Sequence, residues 1–335
     1  MTDWNVGKLL EVSGSYWHAC TLHASVKLDL FSRIEAGDNT AEDIAGGLGY
    51  DVRGVAVLLN ALVAMGLIAK TNYRYFNTAE SKSLLVKGSP KYIGYMIMHH
   101  HHLVEAWSHL DQAVKTGKPA RERGAFNEEE RESFLMGMFN MAMGIAPGLA
   151  GQIDLTGRQH LLDLGGGPGT YAIHFCLANP DLKATVADLT TTRPFAEKTI
   201  SRFGLSDRVD FVPCNYIEDD VKGSYDVAWL SHILHGEGPD ECRMIIKKAV
   251  SALEQGGLML IHDFILNNTS DGPLFPAIFS LNMLINTDKG RSYTGGQIKE
   301  MMTEAGLTNI KRLAFEGPNA SGIISGRFGC RNLAY

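Results

Sequence analysis

The stretch that decides the fold is LLDLGGGPGT, residues 161–170. Its apolar half has the pattern of a short buried strand, three spaced glycines (165, 167 and 169) form a loop, and a helix-length segment begins near Tyr171. Glycines in such a loop let backbone N–H groups approach a ligand at the carboxyl edge of a sheet. A dinucleotide-binding loop has the spacing GxGxxG, whereas this one has GxGxG after an acid, Asp163. The segment therefore predicts a cofactor loop of a different class.

Strand-like and helix-like segments alternate after Pro147 and predict the surrounding architecture. The apolar runs HLLDLGG, KATVADL, RVDFVPC, YDVAWLS and GLMLIHDFI are separated by helix-length stretches, which favours a doubly wound parallel sheet. The last segment, IKRLAFEGPNASGIISGRF, instead predicts an antiparallel hairpin that turns at residues 317–319. Asp188 ends the second strand and could bind a ribose diol, which NAD and S-adenosylmethionine both carry. The hairpin and the glycine spacing favour S-adenosylmethionine, because DxGxGxG resembles motif I of class I methyltransferases.

Residues 1–150 have a different, mostly helical character. Within them, residues 21–77 resemble a winged helix, with two short strands around Asn72. The third helix, VRGVAVLLNALVAMG, carries Arg53 as its single charge, and such an apolar surface is better buried against a partner chain than placed on phosphates. The balance of 31 basic and 37 acidic side chains also disfavours a nucleic-acid surface. We predict a helical winged-helix dimerisation and lid domain (1–150) and a cofactor-binding catalytic domain (151–335).

The cysteine pattern, the N-terminal sequence and the apolar runs indicate the cellular location. Five scattered cysteines without a CxxC pair argue against a disulfide framework. The N-terminus lacks the pattern of a signal peptide, and the longest apolar run, residues 55–69, is too short to span a bilayer. We therefore predict a cytoplasmic protein with neither membrane nor nucleic acid as a partner.

Four consecutive histidines, residues 99–102, lie within a predicted helix. Helical spacing places His99 on one stripe with Tyr92, Met96 and Leu103. The favoured interpretation is one packed and three solvated histidines. Lining of a substrate pocket is the second interpretation, and a metal site is the third.

Taken together, these segments resemble the plant-type O-methyltransferase family, which includes the caffeic acid and acetylserotonin enzymes. The resemblance covers nearly the whole chain, including EAWSHLDQAVKTGKPA (105–120) and LSHILHGEGPDEC (230–242). It implies S-adenosylmethionine as the methyl donor, S-adenosylhomocysteine as the product, and a homodimer with interlocking N-terminal domains. It also implies a substrate pocket between the helical and the Rossmann-like domain.

The resemblance also assigns site residues by position. His235 aligns with the catalytic histidine of the family, and Asp263 with a glutamate that orients it, whereas the second such glutamate is Ser292 here. Gly236 and Glu237 replace an aspartate and a tryptophan. Asn215 stands where many members have an aspartate, and Ser231 where plant enzymes have a lysine. The predicted cofactor-binding residues are Asp163, Gly165, Gly167, Gly169, Asp188, Leu189, Asn215, Tyr216 and Ser231.

The chemistry of the side chains gives His235 its role. Methyl transfer from a sulfonium to a hydroxyl needs alignment and removal of one proton, and a histidine oriented by a carboxylate suits that task. We predict that His235 is the general base and Asp263 its orienting partner. Residues from SFLMGMFNMAMG (133–144), FPAIFSLNMLINT (275–287) and the histidine segments are predicted to bind the substrate: His99, Met136, Asn140, His232, Phe279, Met283 and Asn286.

Several alternatives stay open at this point. The same cofactor site could serve methylation of sulfur, carbon or nitrogen, and the acceptor itself is not specified by the sequence. A regulator that binds DNA through its winged helix and senses S-adenosylmethionine is a third hypothesis, which the apolar third helix disfavours. His262 and Asp263 are neighbours on a strand and point to opposite faces, so they cannot converge with His232 and His235 on one metal, and no metal is predicted.

Overall fold

The computed structural model describes residues 3–120 and 127–329. The chain divides into two compact units, Met1–Val104 with Asn127–Asn140, and Glu105–Phe126 with Met141–Tyr335. The predicted boundary at residue 150 stays a prediction. The first 143 residues contain the following elements: α1 (Val6–Gly14), α2 (Tyr16–Lys27), α3 (Leu30–Ala36), α4 (Ala41–Leu48), α5 (Val52–Ala64), β1 (Ile68–Thr71), β2 (Arg74–Asn77), α6 (Ala79–Leu85), α7 (Gly94–Ser108), α8 (Leu110–Thr116) and α9 (Glu128–Met143).

The winged helix lies in the first unit, as the sequence predicts. Thr40 caps α4 by accepting a hydrogen bond from the Asp43 N–H. Strands β1 and β2 form an antiparallel pair, with Asn72 and Tyr73 in left-handed conformations at its turn. Leu30, Phe31, Ile44, Leu59 and Leu62 form a fully buried core. Most of the other residues of α5 are exposed or half-buried, Val57 among the exposed ones.

The histidine segment does not follow the favoured interpretation. His100 is exposed, whereas His99, His101 and His102 are half-buried. The ring of His99 packs edge-on against Phe134, with 5.3 Å between ring centroids, and His101 packs against the buried His23 at 5.7 Å. The prediction of three solvated histidines is therefore wrong, because neighbouring helices of the same unit cover two faces of α7.

From Ala146 onward the chain forms the second unit's sheet and its covering helices. These elements are α10 (Ala146–Ala150), β3 (His160–Leu164), α11 (Thr170–Ala178), β4 (Lys183–Asp188), α12 (Arg193–Arg202), β5 (Val209–Pro213), β6 (Tyr225–Ser231), α13 (Pro239–Ser251), β7 (Leu253–Leu266), α14 (Leu274–Asn286), β8 (Tyr293–Thr294), α15 (Gly295–Glu304), β9 (Leu307–Glu316) and β10 (Ser321–Phe328).

The sheet has the predicted topology. Its order is β5-β4-β3-β6-β7-β10-β9, with β8 paired to β7. Strands β3 to β7 are parallel to one another, and β10 runs antiparallel to both β7 and β9. Two apolar cores cover the two faces of the sheet, with Trp229 and Leu161 in one and Leu230 and Ile261 in the other. This order places the carboxyl ends of β3, β4, β6 and β7 along one edge, where the site residues lie.

No helix in the described ranges combines the length and the apolar character that a membrane crossing needs.

Candidate active site

The glycine loop connects β3 to α11 and has the backbone that the sequence predicts. Gly165, Gly167 and Gly169 all have positive φ angles, of +68°, +56° and +77°. A Cβ atom at Gly165 would lie 2.6 Å from Cγ2 of Ile233 and 3.4 Å from Cε1 of Tyr216. Only glycine combines this conformation with this close approach. The packing of Ile233 and Tyr216 against Gly165 therefore fixes the path of the loop, and contact of its backbone with the cofactor stays a prediction.

Asp188 joins this loop to the end of β4. Its Oδ2 accepts a hydrogen bond from the Gly167 N–H at 2.8 Å, and its Oδ1 accepts from the Leu189 N–H at 2.7 Å and from the Thr192 hydroxyl at 3.0 Å. A carboxylate offers about four lone pairs, so the group retains capacity for a ribose hydroxyl. A carboxylate beside a glycine loop fits the diol of S-adenosylmethionine, and ribose binding by Asp188 stays a prediction.

Asp163 lies beneath the loop and is fully buried. Its Oδ2 accepts a hydrogen bond from the Ala172 N–H at 3.2 Å, while Oδ1 has no hydrogen-bond partner in the described ranges. A Cβ atom at Gly166 would come within 2.6 Å of its carboxyl carbon. Asp163 thus supports the loop from below, and a direct contact with the cofactor stays a prediction.

The burial of Asp163 predicts a pH-dependent stability. Burial, opposed by the Ala172 hydrogen bond and assisted by the charge of Asp188, raises the pKa of Asp163 to about 7. An unfolded aspartate has a pKa of about 3.9, so the folded chain holds a proton that the unfolded chain has lost between about pH 4 and pH 7, and stability falls as the pH rises through that window.

We therefore expect Asp163→Asn, which keeps the acceptor for Ala172, to lose less stability than the wild type across this range. Calorimetric melting temperatures at several pH values measure the effect. A difference between the two proteins that stays constant with pH would show that Asp163 is not protonated in the fold.

Three further predicted cofactor residues lie at the carboxyl ends of two strands: Asn215 and Tyr216 follow β5, and Ser231 ends β6. Tyr216 lies against Gly165, and its hydroxyl donates to Glu237 at 3.3 Å. Asn215 uses its Oδ1 to accept from the Ile217 N–H at 3.1 Å, which leaves its amide N–H groups for a ligand. Ser231 Oγ lies 3.0 Å from Nδ1 of His262. The structure therefore brings these residues to the edge where the loop lies, and their contacts with the donor stay predictions.

Ile233, Glu237 and His262 also lie in this region, although the sequence assigns them no cofactor-binding role. All three are buried, and Glu237 and His262 are polar. Glu237 departs from the family pattern, which is the signal that could have identified it. His262 is separated from Ser231 by 31 positions, so no local pattern indicates their contact.

His235 and Asp263 form the central pair of the site. Nδ1 of His235 lies 2.7 Å from Oδ1 of Asp263, which also accepts from the Phe264 N–H at 2.8 Å. Burial tends to raise the pKa of Asp263, but the charge of His235 and the neighbouring histidines outweigh burial and lower the pKa below its usual value. The carboxylate therefore stays ionised and fixes Nδ1 of His235 as a donor. In the part of the chain that the structure describes, no hydrogen bond engages Nε2 of His235.

His232 reaches the same carboxylate from a strained backbone. Its φ angle is +56°, in the left-handed region that non-glycine residues rarely occupy. Its Nδ1 lies 3.6 Å from Oδ1 of Asp263, too far for a hydrogen bond, and has no partner among residues 3–120 and 127–329. One ligand atom each from His232, His235 and Asp263 lies within 4.8 Å of the others, close enough to share a cation. The prediction that no metal binds stays a prediction.

Aromatic side chains surround His235 and His232. The ring of Phe264 stacks along His235 at 6.0 Å and packs on His232 at 4.4 Å. Phe279 meets His235 edge-on at 4.8 Å, and Phe275 stacks on Phe279 with 5.7 Å between centroids. Phe275 is 36% exposed, so the cluster is open at one end.

The other predicted substrate residues are distributed over both units. Met283 is buried on α14, and Asn286 donates to the Asn282 carbonyl at 2.8 Å. His99, Met136 and Asn140 belong to the first unit, where all three are half-buried and Oδ1 of Asn140 is buried without a hydrogen-bond partner in the described ranges. Ser292, in place of the second family glutamate, is also buried, and its hydroxyl is unpartnered in the same ranges. Substrate binding by these residues stays a prediction.

Comparison with known proteins identifies the class to which this architecture belongs. Residues 101–308 match the O-methyltransferase domain, and residues 10–87 match the O-methyltransferase dimerisation domain. The chain is 33% identical over 325 residues, 95% of its length and 94% of the relative's, to 3-hydroxy-5-methyl-1-naphthoate 3-O-methyltransferase of Streptomyces sahachiroi. It is 29% identical, with 95% and 96% covered, to the tetracenomycin polyketide synthesis 8-O-methyl transferase TcmO of Streptomyces glaucescens. The solved structure of PigF with SAH superposes with a TM-score of 0.89, at 25% identity and 97% and 100% coverage; PigF is a Serratia protein.

The chain belongs to the O-methyltransferase family. It is an S-adenosylmethionine-dependent methyltransferase, and the predictions of enzyme class, methyl donor and fold are confirmed. The match of residues 10–87 to a dimerisation domain supports a role of the winged helix in self-association and not in DNA binding.

Proposed function

We propose that this chain methylates a phenolic hydroxyl of a small fused-ring aromatic molecule, with His235 as the general base. The single observation that carries the proposal is the 2.7 Å hydrogen bond between His235 Nδ1 and Asp263 Oδ1, because it leaves Nε2 as a proton acceptor. One Streptomyces relative is named for 3-O-methylation of a hydroxynaphthoate, and the other for 8-O-methylation in tetracenomycin polyketide synthesis.

The methyl donor and the residues of the chain have separate roles in the proposed reaction. When bound, S-adenosylmethionine supplies an electrophilic methyl group whose leaving group is a neutral thioether. The residues that would hold it are the glycine loop, Asp188, Asn215, Tyr216 and Ser231. His235 removes the hydroxyl proton at Nε2 as the new oxygen–carbon bond forms, and Asp263 stabilises the resulting imidazolium through Nδ1. Alignment of the oxygen supplies the other part of the acceleration.

The aromatic cluster of Phe264, Phe275 and Phe279 supports a flat acceptor. Phe275 and Phe279 are nearly parallel, with 16° between their planes, and Phe275 has an exposed face. Aromatic pairs in offset-stacked or edge-on arrangements contribute about 0.5–1.5 kcal/mol beyond their buried area. A fused-ring phenol can stack here while its hydroxyl reaches His235.

The histidine–carboxylate pair also distinguishes the acceptor atom. A thioether sulfur has no proton to lose, and an aromatic carbon needs no base before it attacks. The orientation of His235 by an ionised, buried Asp263 is useful chiefly when an O–H proton must be removed. This pair therefore favours oxygen over sulfur or carbon.

The dimerisation-domain match supports a homodimer in solution, and the pattern of scattered cysteines supports a cytoplasmic location. Analytical ultracentrifugation tests the dimer: a purely monomeric protein at enzymatic concentrations would contradict it.

Mass spectrometry of reactions with S-adenosylmethionine and 2-naphthol tests the function. We expect an aryl methyl ether and S-adenosylhomocysteine in equal amounts. A parallel reaction with excess EDTA should proceed at the same rate, because a hydrogen bond to His235 already satisfies Asp263 without a cation. Methylation on carbon, or complete dependence on an added divalent metal, would contradict the proposal.

A further inference from the structure

Two histidines, His232 and His235, lie beside Asp263, and the proposed mechanism uses only His235. His235 and His232 both direct Nδ1 toward the same oxygen, Oδ1, at 2.7 and 3.6 Å. The ionised carboxylate favours an N–H at both Nδ1 atoms, since each faces a negative charge. Each ring then presents a bare Nε2 on its far side from the carboxylate. The side chain of His232 is 22% exposed against 4% for Asp263, so a ligand can reach it.

We propose that Nε2 of His232 accepts a hydrogen bond from a second hydroxyl of the acceptor, adjacent to the hydroxyl that is methylated. The preferred substrates are then aromatic diols with ortho or peri hydroxyls. This inference rests on the proposed function, because it assumes that His235 binds the first hydroxyl.

The spacing of the two rings fits such a pair of oxygens. The ring centroids of His232 and His235 are 6.0 Å apart. Two oxygens in an internal hydrogen bond lie about 2.7 Å apart, and each would lie about 2.8 Å from its nitrogen. Two hydrogen bonds and the oxygen–oxygen distance add to a reach of about 8 Å. This reach exceeds the separation of the ring centroids, so two adjacent oxygens can bridge the two rings.

The backbone holds His232 in this place despite its conformation. The His232 N–H donates to the His262 carbonyl at 2.8 Å, and its ring packs against those of Phe264 and His262, each at 4.4 Å. A non-glycine residue in the left-handed region costs roughly 1–2 kcal/mol, and glycine would avoid that cost. Strain of this kind is found at sites where a side chain has a function.

The test compares three acceptors in the wild type: 2,3-dihydroxynaphthalene, 2-naphthol and 3-methoxy-2-naphthol. Two equivalent hydroxyls alone give the diol a statistical factor of about two, and one hydrogen bond adds up to about tenfold. We expect kcat/KM for the diol to exceed that for 2-naphthol about tenfold or more, and the methoxy compound to lose this preference because it cannot donate.

Two variants locate the preference at residue 232. His232→Gly removes the ring and relieves the backbone strain, and we expect its ratio of kcat/KM for diol over 2-naphthol to fall to about the statistical factor. His232→Gln restores an acceptor of similar reach and should recover part of the ratio. Melting temperatures verify that both variants fold.

The outcomes separate this inference from the proposed function. A wild-type ratio near the statistical factor, or an unchanged ratio in His232→Gly, would overturn the role of His232 alone. Failure of the wild type to methylate any of the three naphthols, or to bind them in calorimetry with S-adenosylhomocysteine present, would contradict both proposals. The wild-type comparison decides the question even if His232→Gly does not fold.

Discussion

Replacing His235 with alanine is expected to lower kcat/KM for a phenolic acceptor about 10²–10⁴-fold, the contribution of general base catalysis. The residual rate reflects the donor and the aligned acceptor, which the substitution leaves in place. Affinity for S-adenosylmethionine, measured by calorimetry, should not change, because His235 bonds to Asp263 and packs on Phe264 and Phe279 rather than on the glycine loop.

The matched control is His109→Ala, at an exposed histidine just before α8, which should keep full turnover. A His235→Ala enzyme with near wild-type kcat/KM would eliminate His235 as the base. Loss of donor binding together with turnover would instead assign it to the structure of the cofactor site.

Replacing Gly165 with alanine is expected to weaken binding of S-adenosylmethionine at least about tenfold, since a left-handed alanine costs roughly 1–2 kcal/mol before any clash. The clash is severe, because the new Cβ atom would lie 2.6 Å from Cγ2 of Ile233. The loop must move to relieve it, and its shape must be restored when the donor binds. Calorimetric titration with S-adenosylmethionine measures the effect.

Gly204→Ala separates the clash from the backbone strain. Gly204 has the same φ angle as Gly165, +68°, but a Cβ atom there would meet nothing within 4 Å. It follows α12, away from the glycine loop in sequence. We expect this control to lose stability but to bind the donor normally. Equal donor affinities for the two variants would mean that the close approach at Gly165 does not shape the cofactor site.

The fold could be predicted because its signals are local. The glycine loop needs positive φ angles at fixed spacing, and the hairpin of β9 and β10 turns at Gly317, Pro318 and Asn319. These features depend on residue types within a few positions. The alternation of strands and helices then leaves few topologies to choose from.

The details of the site depend on contacts between distant residues and on the backbone. The left-handed conformation of His232 turns its Nδ1 toward Asp263. No residue type in LSHILHGEG predicts this conformation. The contact of Ser231 with His262 and that of Tyr216 with Glu237 likewise join separate segments. The prediction of three solvated histidines among residues 99–102 was wrong for the same reason. Helical periodicity describes one helix and not the neighbouring helices that cover it.

The resemblance places Ser292 where the family has a second orienting glutamate. The Ser292 hydroxyl has no hydrogen-bond partner within the described ranges. Here His232 lies beside Asp263 instead.

The most direct test of the account is the dependence of the His235→Ala defect on acceptor acidity. A base matters only for an acceptor that still carries its proton. With 2-naphthol, wild-type kcat/KM should exceed that of the variant about 10²–10⁴-fold. With a nitro-substituted naphthol that is already ionised at the assay pH, the variant should recover most of the wild-type rate. An equal defect with both acceptors would contradict the assignment of His235 as the general base.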